Sequence, residues 1–197
     1  MKREGNFWGE ESVELESSKK TIRRLTSGEI SLARSVFEDM ITYHKVWVHN
    51  DSYLSVKMQG ARTAMTPDGE MYYPDAVYSP DFSSTPTPGA SETVAMASHL
   101  FIHEMTHVWQ YQQGYLVKLH GLFSGMVDYH YDLNLNSLSY YGMEQQAAIV
   151  ADYWLLKNYG LNTDLLNVYY IGDTSEAANV LLGKYKKILG LFPRCII

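Results

Sequence analysis

Residues 95–112 constrain the fold of this 197-residue chain more than any other segment. The segment contains neither glycine nor proline, and its apolar residues recur at helical spacing on two faces instead of one. One face carries Ala97, Leu100, Phe101 and Val108, and the other carries Ile102, Met105 and Trp109. A helix that is apolar on two sides has to pack between other elements. The pattern therefore predicts a buried helix, which Gly114 follows as a stop signal.

Three ionisable residues lie inside this predicted helix as an HExxH sequence, namely His103, Glu104 and His107. The histidines are four residues apart, so both imidazoles lie on one helix face and can bind one metal ion beside the carboxylate. This arrangement is typical of zinc hydrolases, in which the carboxylate acts on water. The alternative is a core helix with two hydrogen-bonded histidines and a paired glutamate. Because burial of three such groups without partners is costly, the pattern favours a metal site.

A third protein ligand is required, because catalytic zinc usually takes three protein ligands and a water. Glu144 is the best candidate, since it lies in the first turn of a second predicted helix over residues 142–158. Small residues on or near its face would let this helix approach the histidine helix closely: Ala147, Ala148 and Ala151. A histidine in the HExxHxxGxxH pattern is excluded, because positions 110 and 113 are both glutamine. The alternative for Glu144 is a first-turn glutamate that stabilises only its own helix.

Both predicted helices lie in runs that resemble one group of bacterial proteins. The runs are residues 101–110, 143–147, 150–153, 66–73 and 81–83. They resemble the zinc metallopeptidases associated with type VI secretion, which are found beside or fused to VgrG and Rhs proteins, and more distantly the Glu-zincins. The resemblance covers residues 25–158. It implies a zincin fold, a Zn²⁺ cofactor and service as a secreted effector.

The remaining pattern predicts one α+β domain over residues 26–197. Thr26 and Glu29 form a capping-box signature that opens a helix to about residue 43, and residues 175–190 predict a final amphipathic helix. Residues 46–48, 53–56 and 70–73 predict short strands, the last being the edge strand that borders the cleft. We expect a zincin-like, mainly helical domain with a small mixed sheet over the active-site helix. The polar residues 1–25 predict a flexible N-terminal arm.

Composition limits the partners and locations of the chain. A net charge of −6 without a basic stripe argues against a general nucleic-acid binder. No apolar run approaches the roughly 18 residues that cross a bilayer, and the N-terminus lacks the apolar core of a signal peptide. The single cysteine, Cys195, excludes an internal disulfide. We expect synthesis in the bacterial cytoplasm and, from the resemblance, delivery by a specialised secretion system, with the periplasm as the target compartment.

Glu104 is the predicted general base, which takes a proton from water and later delivers it to the leaving amine. Zinc proteases often add a tyrosine or histidine donor for the oxyanion, and Tyr141 or His130 is favoured here. The other candidates between the two ligand helices are His120, Tyr129, Tyr131 and Tyr140. His99 could approach the site without being required as a ligand, and Asp152 could orient a neighbouring side chain.

These residues together predict a zinc-dependent peptide-bond hydrolase with a protein or peptide substrate. The resemblance adds an antibacterial or host-directed effector role, a VgrG- or Rhs-type secretion partner and an immunity protein. One alternative is a metal-stabilised interaction module of a secretion apparatus with little turnover. Another is an amidase of cell-wall peptides. Glu104 favours catalysis, because a structural zinc site needs no carboxylate beside it and usually closes its fourth position with protein.

Overall fold

The computed structural model describes residues 20–55, 59–84, 91–116, 128–160 and 169–194. These residues form an α+β fold with a small mixed sheet, as predicted. The strands are β1 (Thr21–Arg24), β2 (Trp47–Asn50) and β3 (Met71–Tyr73). The helices are α1 (Ser27–Phe37), α2 (Ser91–Gln112), α3 (Met143–Tyr159) and α4 (Ala178–Leu189), with short 3-10 helices at Tyr43–Lys45 and Leu138–Tyr140. Within the described ranges, no helix combines the length and the apolar character needed to cross a bilayer.

The sheet has β2 in its centre, antiparallel to β1 and parallel to β3. Val48 of β2 pairs with Met71 of β3, and both side chains are fully buried together with Tyr73. One face of the sheet therefore belongs to the hydrophobic core, where β3 contacts α2. This contact places the small sheet against the helix that carries the HExxH residues.

The outer side of β3 is partly covered by the chain that precedes it. Met65 forms an antiparallel bridge with Tyr72, with backbone hydrogen bonds of 3.0 and 2.9 Å in the two directions. The predicted edge strand is thus the last strand of the sheet, but residues 62–67 lie beyond it. These residues, and not β3, line the cavity at the candidate site.

A capping box begins α1, as predicted. Thr26 accepts a hydrogen bond from the backbone N–H of Glu29, and the Glu29 carboxylate accepts one from the backbone N–H of Thr26. Glu29 is fully buried, and it also accepts two hydrogen bonds of 2.8 Å from Arg23 and one of 3.0 Å from Phe82 N–H. One carboxylate thereby joins β1, α1 and the loop before α2.

The predicted flexible arm, residues 1–25, extends too far along the chain, because residues 21–24 form the strand β1. Four residues of β1 pair with β2, and the Arg24 guanidinium lies 3.3 Å from the centre of the Trp47 ring. A cation above an aromatic face is attracted by the ring quadrupole, which favours this pairing. The folded domain therefore begins before residue 26, and residues 1–19 of the predicted arm lie outside the described residues.

Three other predicted boundaries differ from the structure. The first helix ends at Phe37 and not near residue 43, because Glu38 adopts a φ of +50° that leaves the helical region. Residues 53–55 form no strand, since the Leu54 N–H donates to the Gln59 side chain at 2.9 Å, and residue 56 lies outside the described residues. The last helix begins at Ala178, three residues after the predicted start at 175.

The helix α2 is buried on two faces, as its sequence pattern predicts. Its apolar residues Phe101, Ile102, Met105 and Val108 are fully buried, and Trp109 is 2% exposed. Its main neighbour is α3, whose Ala147, Ala148 and Ala151 are buried and small enough to allow close approach. This close packing brings the first turn of α3 beside the polar side chains of α2.

Candidate metal centre

The structure brings the three predicted metal ligands together, two from α2 and one from α3. Glu144 Oε2 lies 3.3 Å from His103 Nε2 and 3.0 Å from His107 Nε2. The two imidazole nitrogens are 3.3 Å apart. Among the described residues, these three side chains form the group of potential metal ligands whose ligand atoms all lie within 4.8 Å of one another. Three donor atoms therefore converge on one point.

The spacing and chemistry of these atoms fit zinc. Ligand atoms at about 2.0–2.1 Å from a tetrahedral zinc ion stand about 3.3 Å apart, close to the three separations between these side chains. Two imidazoles and one carboxylate are also a ligand set found in catalytic zinc sites. Such a set leaves the fourth tetrahedral position for water or substrate.

The orientation of His107 is set by glutamines that the sequence pattern did not identify as site residues. His107 Nδ1 donates to Gln110 Oε1 at 2.7 Å, which leaves the Nε2 lone pair for the metal. Gln110 Nε2 donates in turn to Met143 O and to Gln146 Oε1, each at 3.1 Å. Gln110 and Gln146 are both buried. This chain of hydrogen bonds fixes the histidine tautomer and joins α2 to the first turn of α3, where Glu144 lies.

The predicted general base, Glu104, is held by a residue from the loop before β3. Thr66 Oγ1 donates to Glu104 Oε2 at 2.6 Å, and both residues are 4% exposed. Among the described hydrogen bonds, none engages the other carboxylate oxygen, Oε1, and Glu104 lines the same cavity as the three ligands. One oxygen thus fixes the carboxylate while the other remains to accept a proton. No local sequence signal predicts Thr66, because its contact spans 38 residues.

The charges of the two side chains favour an ionised His107–Glu144 pair. Burial lowers the pKa of His107, but the Glu144 carboxylate outweighs burial and raises the pKa to about 9. Burial raises the pKa of Glu144, but His107 and then His103 outweigh it, so this pKa lies well below its ordinary value. A metal ion that binds His107 Nε2 near neutral pH would therefore have to displace the proton of this ring.

The cluster opens into a cavity of about 210 Å³. Residues 62–67 line one part of it, and α2 contributes His99 and Leu100 in addition to the HExxH residues. Tyr129 and Tyr169 line the rest beside Glu144, with their rings stacked at a centroid distance of 5.2 Å. The cavity is large enough to admit part of a substrate to the metal-ligand side chains.

The two favoured oxyanion donors do not fit this geometry. The hydroxyl of Tyr141 donates to Asp132 O at 2.8 Å and accepts from Leu135 N–H at 3.1 Å, so it stabilises a loop. His130 is exposed and bonds Asp128 at 3.0 Å. Neither residue lines the cavity.

Tyr129 is the member of the predicted candidate group that the structure brings to the cavity. Burial, and after it the charge of Glu144, raises the pKa of Tyr129 above its ordinary value. Tyr131 is buried, Tyr140 is exposed, and His120 lies outside the described residues. Which of these side chains reaches the cavity depends on the path of the chain between α2 and α3, and local sequence does not reveal that path.

Fold and site together define an α+β protein with a His–His–Glu cluster between two buried helices, beside an open cavity. Over 143 residues the chain is 38% identical to the type VI secretion system spike protein VgrG2b of Pseudomonas aeruginosa. That alignment covers 69% of this chain and 13% of the spike protein, so the chain corresponds to a small part of its relative. No protein-family model matches the sequence.

A solved structure is similar over most of its length. The effector domain of Pseudomonas aeruginosa VgrG2b is 34% identical and superposes with a TM-score of 0.56, covering 70% of this chain and 76% of that domain. The chain belongs to the family of the VgrG2b effector domain.

Proposed function

We propose that the chain is a zinc-dependent peptide-bond hydrolase that acts as a type VI secretion effector. The observation that carries the enzymatic part is the convergence of His103, His107 and Glu144 within 3.3 Å of one another, beside the buried carboxylate of Glu104. The ligand set leaves one coordination position, and the cavity leads to it.

Zinc held by these three residues supplies a Lewis acid that polarises a carbonyl group and acidifies water. Glu104 accepts the proton of the attacking water on Oε1, while Thr66 holds Oε2 and so keeps the carboxylate in place. The same carboxyl group then delivers the proton to the leaving amine. Gln110 keeps His107 in the tautomer that presents Nε2 to the metal.

Tyr129 serves in this proposal as a donor to the oxygen that becomes negatively charged. Its raised pKa keeps the hydroxyl protonated, so that it can donate a hydrogen bond without losing its proton. Its position in the cavity supports this role, which Tyr141 and His130 cannot take from where they lie.

Catalysis explains the site better than a purely structural metal. A structural zinc site closes its fourth position with protein, whereas the described residues contribute three ligands. A metal that only stabilises the fold requires neither a cavity beside it nor a neighbouring carboxylate. This site has both, and among the described contacts the Glu104 carboxylate is hydrogen bonded only at Oε2. We therefore favour the hydrolase over an interaction module with little turnover.

Hydrolysis is expected to depend on zinc. Zinc-loaded protein is incubated with a periplasmic extract and, separately, with purified cell-wall peptides, and new amino termini are identified by amine labelling and mass spectrometry. New termini should appear in the extract, disappear after chelation and return when zinc is added. New termini in the cell-wall peptides alone would instead assign an amidase. No new termini in either pool would support the interaction module.

The delivery part of the proposal rests on family membership. VgrG2b is a spike protein of the type VI secretion system, and the solved structure of its effector domain is similar to this chain. We infer that this chain reaches its target through such an apparatus, with a VgrG- or Rhs-type protein as partner and the periplasm as the target compartment. A toxic hydrolase also requires an immunity protein in the cell that produces it.

Killing of neighbouring cells is expected to require both contact and the metal site. Producing cells are mixed with sensitive cells on a surface, and survivors are counted for the wild-type chain and for His103→Ala. Survival should fall with the wild-type chain and recover with the variant, because loss of one imidazole removes the metal. Separation of the two populations by a filter is the control. Equal killing by wild type and variant would contradict a metal-dependent effector.

A further inference from the structure

Arg62 is a cationic residue of the metal cavity that has no part in the proposed reaction. It is exposed, and it lines the cavity together with Glu104 and Glu144. The other arginines that the structure describes each have a carboxylate or an aromatic partner: Arg23, Arg24, Arg34 and Arg194. Arg62 has neither kind of partner among the described residues. Its guanidinium group is therefore available to an anion that enters the cavity.

The backbone on both sides of Arg62 is held by hydrogen bonds. Before it lies the buried side chain of Gln59, whose Nε2 donates to Thr63 O at 2.7 Å. After it comes the bridge from Met65 to Tyr72 at the edge of the sheet. The turn that carries Arg62 is thus fixed beside the cavity. A ligand of the guanidinium group therefore orders a side chain but no additional backbone, which keeps the entropic cost of binding small.

A second chamber, of about 580 Å³, adjoins the metal cavity. Large apolar side chains form much of its lining: Val77, Phe82, Met96 and Leu155. Four residues line both spaces and so mark the boundary between them: Arg62, His99, Leu100 and Tyr169. A peptide that extends from the metal ligands into the chamber therefore passes the side chain of Arg62.

The two carboxylates that line the chamber are already engaged by protein groups. Asp81 Oδ1 accepts hydrogen bonds from the backbone N–H and the hydroxyl of Ser83, at 2.9 and 2.6 Å. Asp152 Oδ1 lies 2.6 Å from His99 Nε2, and Asp152 Oδ2 accepts from the Tyr131 hydroxyl. Neither carboxylate forms a described ion pair with an arginine. The chamber therefore offers mainly apolar surface to an incoming side chain, and its charges do not occupy Arg62.

These two neighbouring features set different requirements on a substrate. A guanidinium group presents a planar fork of N–H donors that matches a carboxylate, which it binds through two hydrogen bonds. An apolar chamber is filled best by a large apolar side chain, because burial removes that surface from water. Since Arg62 lies at the entrance of the chamber, both groups have to come from neighbouring residues of one peptide.

We propose that Arg62 is a specificity-determining residue, which binds a substrate carboxylate next to a large apolar residue that occupies the second chamber. This inference rests on the proposed hydrolase function, and it names the substrate class as peptides with an acidic group beside an apolar side chain. The carboxylate comes from an acidic side chain or from a free C-terminus. Because the contact lies away from the reacting carbonyl, it stabilises bound substrate and transition state alike.

Three variants separate this role from that of an ordinary surface charge. Arg62→Gln removes the charge and keeps a polar side chain. Arg62→Lys keeps the charge and loses the planar fork. Arg34→Gln is the matched control, because it also removes one surface arginine, whose side chain is 57% exposed and lines neither the cavity nor the chamber. Melting temperature and bound zinc should be the same in all three variants and in wild type, since none of these residues is a metal ligand or part of the core.

Binding is measured by calorimetry with peptide hydroxamates, which coordinate zinc without being cleaved. Each compound carries leucine beside glutamate or beside glutamine, in both orders and with an amidated C-terminus. In one order, wild type should bind the glutamate compound about tenfold more tightly than the glutamine compound. Arg62→Gln should bind both equally, Arg62→Lys should show a smaller preference, and Arg34→Gln should match wild type. Alanine in place of leucine should weaken binding to all of them, because less apolar surface enters the chamber.

A further pair of compounds distinguishes the two sources of the carboxylate. It carries leucine beside glycine, with the C-terminus either free or amidated. A preference for glutamate that Arg62→Gln abolishes assigns an acidic side chain, and a preference for the free C-terminus that Arg62→Gln abolishes assigns a terminal carboxylate. In either case, about 0.5 M salt should reduce the preference of wild type, because it screens an exposed ion pair.

Kinetics supply the second readout, with the preferred residue pair built into a peptide substrate. Arg62→Gln should raise KM about tenfold and leave kcat within about threefold of wild type. Absence of any carboxylate preference in wild type, a preference that survives Arg62→Gln, or equal affinity for leucine and alanine compounds would each overturn the assignment. A wild type that cleaves no peptide but still prefers carboxylates through Arg62 would refute the hydrolase proposal and leave the binding role in place.

Discussion

Glu104→Gln is expected to lower kcat by about 10²- to 10⁴-fold and to leave bound zinc unchanged. The amide has the shape of the carboxylate, and its oxygen can still accept the hydrogen bond that Thr66 donates at 2.6 Å. The variant therefore keeps the geometry of the cavity and loses only the ability to accept a proton from water. Initial rates of peptide cleavage, divided by the zinc content of each preparation, measure the effect.

A second carboxylate provides the matched control for this substitution. Glu70 pairs with His49 at 2.7 Å beside the sheet and does not line the cavity, so Glu70→Gln should cleave at the wild-type rate. Melting temperatures of both variants test whether a loss of rate reflects unfolding. Undiminished turnover in Glu104→Gln would show that another group takes the proton.

Local sequence pattern predicts the parts of the site that lie within single helices. The two-faced apolar pattern predicts the burial of α2, and the four-residue spacing predicts that His103 and His107 lie on one face. The capping residues Thr26 and Glu29 predict the start of α1 in the same way. These features depend on neighbours within one helical turn, so no tertiary information is needed.

Contacts between distant segments could be predicted only in part. The small residues on α3 and the first-turn position of Glu144 favour it as a ligand, but its distance from His107 depends on how α2 and α3 pack. Gln110 carries a weak local signal, because it lies one turn after His107. Thr66 carries none, since it reaches Glu104 from a loop 38 residues away.

The incorrect assignments arise where tertiary contacts decide the outcome. The Tyr141 hydroxyl binds the backbone of its own loop, whereas Tyr129 lines the cavity, and both lie between the ligand helices in sequence. The strand β1 is short and polar, and β2, Glu29 and Trp47 stabilise it through contacts that no local pattern contains. The positive φ of Glu38 ends α1 inside a pattern that is still helical in period.

Glu144→Ala is expected to abolish stable zinc binding while the fold persists. The first turn of α3 does not depend on this carboxylate, because Gln145 accepts from Gly142 N–H at 2.9 Å and Gln146 bonds Gln110. Loss of the carboxylate also removes the main influence that raises the pKa of His107, so the metal-free variant buries a neutral ring instead of an unpaired charge. The loss of function should therefore follow the metal and not unfolding.

Zinc content after dialysis and the rise in melting temperature on zinc addition measure this effect. Zinc at about 100 times its dissociation constant stabilises a protein by about 2.7 kcal/mol, so wild type should melt at a clearly higher temperature with zinc and the variant should not. Gln110→Ala is the graded comparison: it keeps all three ligands and loses the hydrogen bond that orients His107, together with the two that Gln110 donates to the first turn of α3. Its zinc affinity should fall about 10- to 100-fold, less than in Glu144→Ala. Unchanged zinc content in Glu144→Ala would mean that another residue completes the ligand set, and the pairing of α2 with α3 would then not create the metal site.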